Sequence, residues 1–145
     1  FPKDVTEVVN SFQDKFKLPI ISKIVESNEL QMDWFSDNII KIANKKQLKH
    51  IVLIGAPFKE NTDDLRESPT LKIYKRIENK GKNIVIFDKN IKLNVEYNSI
   101  SEFENLKEDC LYVEMFPDQS NERKNLISKI KSLDNFSIYR MWETI

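Results

Sequence analysis

The sequence predicts an α/β fold, a domain with a parallel sheet preceded by one long α-helix. Three observations predict it. Four short, largely apolar runs, HIVLIGA (50–56), NIVIFD (83–88), CLYVEMF (110–116) and FSIYRMW (136–142), have the length of strands, and the first two have the composition of buried ones. Stretches with apolar residues three and four apart lie between them, so strand and helix alternate as in βαβ units with right-handed crossovers. Ahead of them, helical spacing persists from residue 19 to 43, about seven turns.

In chain order, residues 3–16 read as a first helix carried by Val5, Val8, Val9, Phe12 and Phe16. Leu18-Pro19 ends it, and Pro19 suits the first turn of the next helix, where its missing N–H leaves nothing unpaired. In that long helix Ile21, Val25, Met32, Phe35, Ile39 and Ile42 form a seam if Asn28 is counted in it. Ile20, Ile24, Trp34 and Ile40 widen the stripe. A rod of about 37 Å, about twice the usual helix length, needs more partner surface than one small domain offers. A homodimer through helix 19–43 is therefore expected, with Asn28 a candidate for fixing register; the alternative is packing on domains outside this chain. NKKQLK (44–49) is a polar break and divides a helical segment, 1–46, from an α/β domain, 47–145. In the latter, Ser68-Pro69 reads as N-cap and first helical residue, and Leu71, Tyr74 and Ile77 line one face. Gly81 fits the position just past the helix end. A short helix is expected over 100–106. Another is expected over 120–133, with Leu126, Ile127, Ile130 and Leu133 inward.

The totals narrow the function classes. Of 145 residues, 40% are hydrophobic and 32% charged, and 23 cationic residues balance 23 acidic ones. Zero net charge disfavours a nucleic-acid partner. No apolar run approaches the roughly 18 residues of a membrane span, and no signal peptide is visible. The single cysteine, Cys110, cannot form an intramolecular disulfide, which points to a reducing, cytoplasmic setting. Cys110 opens an apolar strand and reads as a core thiol; Glu108 and Asp109 beside it would hinder its ionisation. His50, the one histidine, leads a strand with no second ligand at metal-binding spacing, so a zinc site is not expected. Trp34 and Trp142 read as packing residues, and the lysines of NKK and KRIENKGK as solvated faces.

The segment GAPFKENTDDLRESP (55–69) stands apart. A strand-to-helix connection usually takes about two to six residues, and this one is longer. In a doubly wound sheet it lies at the carboxyl end of the first strand, where ligands bind. It holds one glycine, Gly55, not the G-x-G-x-x-G that cradles a dinucleotide pyrophosphate. Instead it offers two cations, Lys59 and Arg66, beside Asp63 and Asp64. The planar guanidinium suits phosphate or carboxylate oxygens. A solvated salt-bridge cluster is an equally good reading of spacing alone.

The run FKENTDDLRESPTLKIYKRIENKGKNIVIFD (58–88) resembles the start of the C-terminal, nucleotide-sugar-binding domain of the UDP-glucose/GDP-mannose dehydrogenase family, with its F-K-x-N-T-D-D-x-R-E-S-P motif. FPKD at 1–4 is similar to the end of that family's G-G-x-C-F-P-K-D, and IVESNELQ at 24–31 to its V-x-x-V-N-E-x-Q. The three matches come in the family order and cover most of residues 1–88; beyond them only the α/β pattern agrees.

The resemblance implies a Rossmann-like C-terminal domain after a long helix that forms a dimer core. It implies an enzyme that oxidises the C6 alcohol of a nucleotide sugar to a carboxylate, using two NAD in turn and covalent adducts on a cysteine thiol. By position, Lys3 and Asp4 would be catalytic, Asp4 supporting the thiol and water chemistry. Phe58 and Lys59 would contact the nucleotide sugar, Arg66 would reach the cofactor, and Arg140 would contact substrate, although its YRMWE differs from the family's D-x-R-N. Pro57 is a lesser departure. The motif's cysteine and an NAD-binding domain are not in this chain, so it is expected to be a C-terminal fragment beginning just after the nucleophile. As such it should be inactive alone, with NAD bound mainly outside it. A non-catalytic sugar-nucleotide-binding module or a dimerisation unit is the alternative. UDP sugars are favoured over GDP-mannose, and polysaccharide or capsule precursor supply is the implied pathway.

Overall fold

Helix and strand alternate through the chain as the apolar runs predict. The structure, a computed structural model, describes residues 2–12, 19–57, 62–94, 96–102 and 108–144. Two helices come first, α1 (Pro2–Phe12) and α2 (Pro19–Lys45). Then follow β1 (His50–Ile54), α3 (Pro69–Asn79), β2 (Asn83–Phe87), β3 (Ser99–Ile100), β4 (Cys110–Glu114), α4 (Asn121–Ile130) and β5 (Phe136–Arg140), closed by a 3-10 turn, Met141–Thr144. None of the described helices is long and apolar enough to cross a membrane.

The strands form one parallel sheet in the order β3-β2-β1-β4-β5. The chain builds outwards from β1 to β3, then returns to β1's other side for β4. The order therefore reverses between β1 and β4, where a crevice opens at the carboxyl ends. His50 aligns with both Asn83 and Cys110. The strands end level, so their last residues share one rim.

Successive side chains alternate faces, and both faces are buried. Ile51, Leu53, Ile84, Ile86, Leu111 and Val113 pack under Ile73, Tyr74 and Ile77 of α3 and Phe35, Ile39 and Ala43 of α2. Val52, Ile54, Phe87, Cys110 and Tyr112 pack against Leu126 and Ile130 of α4, with Ile127 and Leu133 at the edge. Cys110 is the core thiol its setting predicts, fully buried, its Sγ donating to the Glu108 carbonyl at 3.3 Å.

The C-terminal half of α2 thus belongs to the sheet's own core. An ionic ladder reinforces it. Glu29 meets Lys72 (3.0 Å) and Arg76, Asp33 meets Arg76 (2.6 Å), Asp37 meets Lys80, and Asn44 accepts from Lys82 at 3.0 Å. Within KRIENKGK, Arg76 and Lys80 partner α2 carboxylates and Lys82 the Asn44 amide across a helix–helix seam, which corrects the reading of that stretch as merely a solvated face. The pairs advance together along both helices, so α2 and α3 run in the same direction. The N-terminal half of α2 packs against α1. Ile20, Leu30 and Trp34 remain exposed, together with Val8 and Phe12 of α1. Trp34 is half exposed, with its ring packed edge-on to Phe35.

The caps of α3 follow the sequence signals. Ser68 adopts φ −58° and ψ 123°, the extended geometry required both of an N-cap and of a residue before proline. At the other end Gly81 takes φ +71°, its N–H bonding Glu78 O while the Lys82 N–H bonds Ile77 O, a Schellman pair. One expected element is corrected: Ile100 starts no helix. It pairs with Phe87 in β3, and the Asp88 N–H donates to its carbonyl. Residues 103–106 of that expected helix lie outside the described residues.

Candidate functional site

A cleft of about 760 Å³ lies over the carboxyl ends of β1, β2 and β4. The loop after β1 forms one wall, the residues after β2 a second, and the start of α4 the third. Gly55 opens the loop at φ +98°, a backbone region costly for other residues. A Cβ there would lie 2.5 Å from the Phe116 ring, so glycine is needed twice over.

Side chains then sew the loop's ends to the sheet. The Ala56 N–H donates to Asp88 Oδ2 at 2.9 Å, and Asp88 Oδ1 accepts from the N–H groups of Asn90 and Ile91. From the start of α3, Ser68 Oγ donates to the Ala56 carbonyl (2.5 Å) and accepts from the Leu71 N–H. Thr70 Oγ1 donates to the Gly55 carbonyl at 2.8 Å. In the loop's second half Asp64 accepts from the Arg66 backbone N–H (3.0 Å) and clasps its guanidinium at Nε (2.8 Å) and Nη2 (2.6 Å). That hydrogen bond raises the Arg66 pKa. The Glu7 carboxylate adds a weaker pull in the same direction.

The third wall centres on a buried ion network. Glu114, the last residue of β4, is 4% exposed. It accepts from Arg123 Nη1 (3.3 Å) and Arg140 Nε (2.8 Å). Arg123, itself buried, lies against the Phe116 ring and faces Asp118 at 3.5 Å. Arg140 also reaches Glu143 at 3.0 Å, and its bond to Glu114 raises its pKa. A second recess of about 490 Å³ opens beside Arg140 and Trp142, with Arg123 lining both recesses.

Of the residues expected from sequence, Asp63 lines the cleft. Arg66 is exposed and turned to Asp64. Arg140 stands at the end of β5 above the second recess. Asp4 is exposed in the first turn of α1. Lys3 belongs to α1, but its side chain, like Phe58 and Lys59 entirely, lies outside the described residues. Sequence reasoning missed Asp88, Glu114 and Arg123. A carboxylate inside the apolar run CLYVEMF was the available signal for Glu114, since such a group is buried only with partners.

The fit of a dinucleotide to this cleft is poor. In dinucleotide-binding units the acid near the end of the second strand holds a ribose hydroxyl. Here Asp88 stands at that place with both oxygens engaged by backbone N–H groups, and the loop has one glycine.

Sheet order, crevice and anchored loop define an α/β unit of the Rossmann-like class with its ligand face at the strand ends. The chain belongs to the UDP-glucose/GDP-mannose dehydrogenase family, whose UDP binding domain matches residues 52–135. It is similar to GDP-mannose 6-dehydrogenase of Azotobacter vinelandii, 36% identical over 91 residues that cover 62% of this chain and 20% of that protein. It is similar too to UDP-glucose 6-dehydrogenase of Rickettsia prowazekii, 29% identical over 124 residues, 79% of this chain and 28% of that one. Among solved structures, a GDP-mannose dehydrogenase from Pseudomonas aeruginosa superposes with TM-score 0.66 at 22% identity, over 98% of this chain and 35% of the other. The UDP-N-acetyl-mannosamine dehydrogenase Cap5O from S. aureus gives 0.62 at 18%, over 83% and 32%. These two likenesses bear on the fold. The chain spans about a fifth to a third of the length of these relatives.

Proposed function

We propose that this chain supplies the nucleotide-sugar-binding C-terminal part of an NAD-dependent nucleotide-sugar 6-dehydrogenase. The observation that carries the reading is coincidence of place: the family match over 52–135 contains most of the rim that forms the cleft. The complete enzyme would oxidise a sugar C6 alcohol to a carboxylate through a cysteine thioester. The nucleophile would lie outside this chain, since Cys110 is sealed in the sheet. Phe58, Lys59 and Arg140 would bind the nucleotide sugar, Arg66 would approach the cofactor, and Lys3 and Asp4 would serve the catalytic centre. NAD would accept hydride, held chiefly by a domain beyond this chain, in keeping with the poor dinucleotide fit of the cleft. The segment alone would not turn over. Residues 1–46 would be the end of a central helical domain and 47–145 the sugar-nucleotide domain, in a cytoplasmic enzyme supplying polysaccharide or capsule precursors. UDP sugars are the favoured substrates.

Calorimetry on the complete protein with UDP-glucose, a UDP-N-acetylhexosamine and GDP-mannose tests the site. Binding of at least one is expected, weakened about tenfold or more by Lys59→Ala, the scale of one hydrogen bond to a charged group. An affinity indifferent to that substitution removes Lys59 from the site.

A homodimer through α2 belongs to the same proposal. Ile20 is 79%, Leu30 62% and Trp34 51% exposed, and Leu30 and Trp34, four residues apart, share a helix face that a second copy could cover. Sedimentation of the complete protein should show a dimer that Leu30→Glu with Trp34→Glu weakens; a monomeric wild type contradicts the assignment.

A further inference from the structure

Glu114 holds the two arginines that border the recesses. Its carboxylate is 4% exposed at the end of β4. One oxygen takes Arg123 Nη1 from α4 and the other takes Arg140 Nε from β5. Arg123 borders the main cleft and Arg140 the second recess. We propose that Glu114 is a positioning residue for nucleotide-sugar binding: it fixes the side-on orientation of Arg140, and through Arg123 it couples that orientation to the cleft wall.

A long arginine side chain that is 40% exposed loses rotamer freedom when it engages an anionic ligand. A buried carboxylate gripping Nε removes most of that freedom beforehand, so binding strengthens by preorganisation and not by a new contact. The carboxylate is shared, because Arg123 is 8% exposed and needs the same partner. A buried charge pair tolerates loss of one member badly. Displacing Arg140 therefore changes the balance on Arg123, which lies against Phe116, the ring that presses on Gly55 at the start of the loop. The diphosphate of a nucleotide sugar is the ligand chemistry two such arginines suit. The inference rests on the reading of the chain as part of a nucleotide-sugar dehydrogenase.

Glu114→Gln, Arg140→Lys and the double variant, made in the complete enzyme, test it. The readouts are KM for each substrate, kcat, and calorimetric affinity for the nucleotide sugar. Each single variant is expected to raise KM and Kd for the nucleotide sugar about tenfold, with KM for NAD within about twofold of wild type. The double variant should be little worse than either single one, since both act through one orientation. Additive effects, or equal losses on both substrates, would make Glu114 merely structural and overturn the inference. Should Glu114→Gln fail to fold, Arg140→Lys decides, because it keeps a cation beside Glu114: an unchanged KM for the nucleotide sugar overturns the inference. A wild-type enzyme that oxidises no nucleotide sugar would instead remove the underlying reading.

Discussion

Two residues, Ser68 and Gly55, carry the candidate site's construction, and each gives a measurable expectation. Ser68 is 1% exposed; its hydroxyl caps α3 and donates to the Ala56 carbonyl. Ser68→Ala should cost about 1–3 kcal/mol in urea unfolding, the sum of a lost cap and an unpaired buried carbonyl. Gly55 and Gly81 form an internal comparison. Both have positive φ, but a Cβ at Gly55 meets Phe116 while none lies within 4 Å at Gly81. Gly81→Ala should cost about 1 kcal/mol and Gly55→Ala clearly more; equal costs would mean that Phe116 moves aside freely. Both glycines and Ser68-Pro69 were legible in the sequence, since backbone geometry depends on a residue and its neighbours. Asp88 and Arg123 were not. Their partners stand 32 and 9 residues away, and such pairings exist only once the sheet has formed.

At the scale of elements, α2 is where sequence and structure differ most instructively. Its amphipathic stripe and both ends were legible from spacing and from Pro19. Its destination was not, because a stripe shows that a face is apolar without showing what covers it. The lower half covers the sheet, through Phe35, Ile39 and Ala43. A chain truncated to residues 47–145 loses these three side chains. At about 1.5–3 kcal/mol for each large one, it should unfold or aggregate where the full segment does not, as circular dichroism would report. A truncated chain of undiminished stability would contradict this packing. The α2–α3 ladder adds a second expectation. Arg76→Glu sets like charges against Glu29 and Asp33 and should destabilise by about 1–2 kcal/mol. The ladder also has a pH sign. The hydrogen bond from Lys72, opposed by partial burial, holds the Glu29 carboxyl below its ordinary range. Its contribution is complete above the unfolded-chain value and is lost as pH falls below about 4. Acid should therefore loosen α2 from α3, and Glu29→Gln should reduce that sensitivity.

For the molecule as a whole, the parallel sheet was the easiest feature to anticipate. Four of its strands are apolar runs, and buried parallel strands need no other signal. β3 escaped notice because a two-residue edge strand has no pattern to detect, and Ile100 alone fits a helix as well. The cleft follows from the strand order, and its place at the switch point is a property of topology. The family motif concentrates in the loop beside it, which is why the sequence already pointed to this rim as the candidate ligand face. This face is proposed to serve the oxidation of a nucleotide sugar. The most direct measurement is NADH formation by the complete protein over UDP-glucose, UDP-N-acetylhexosamines and GDP-mannose. Alcohol-to-carboxylate oxidation predicts two NADH for each sugar consumed with at least one of them; no NADH from any of the three, by a folded protein, would contradict the account.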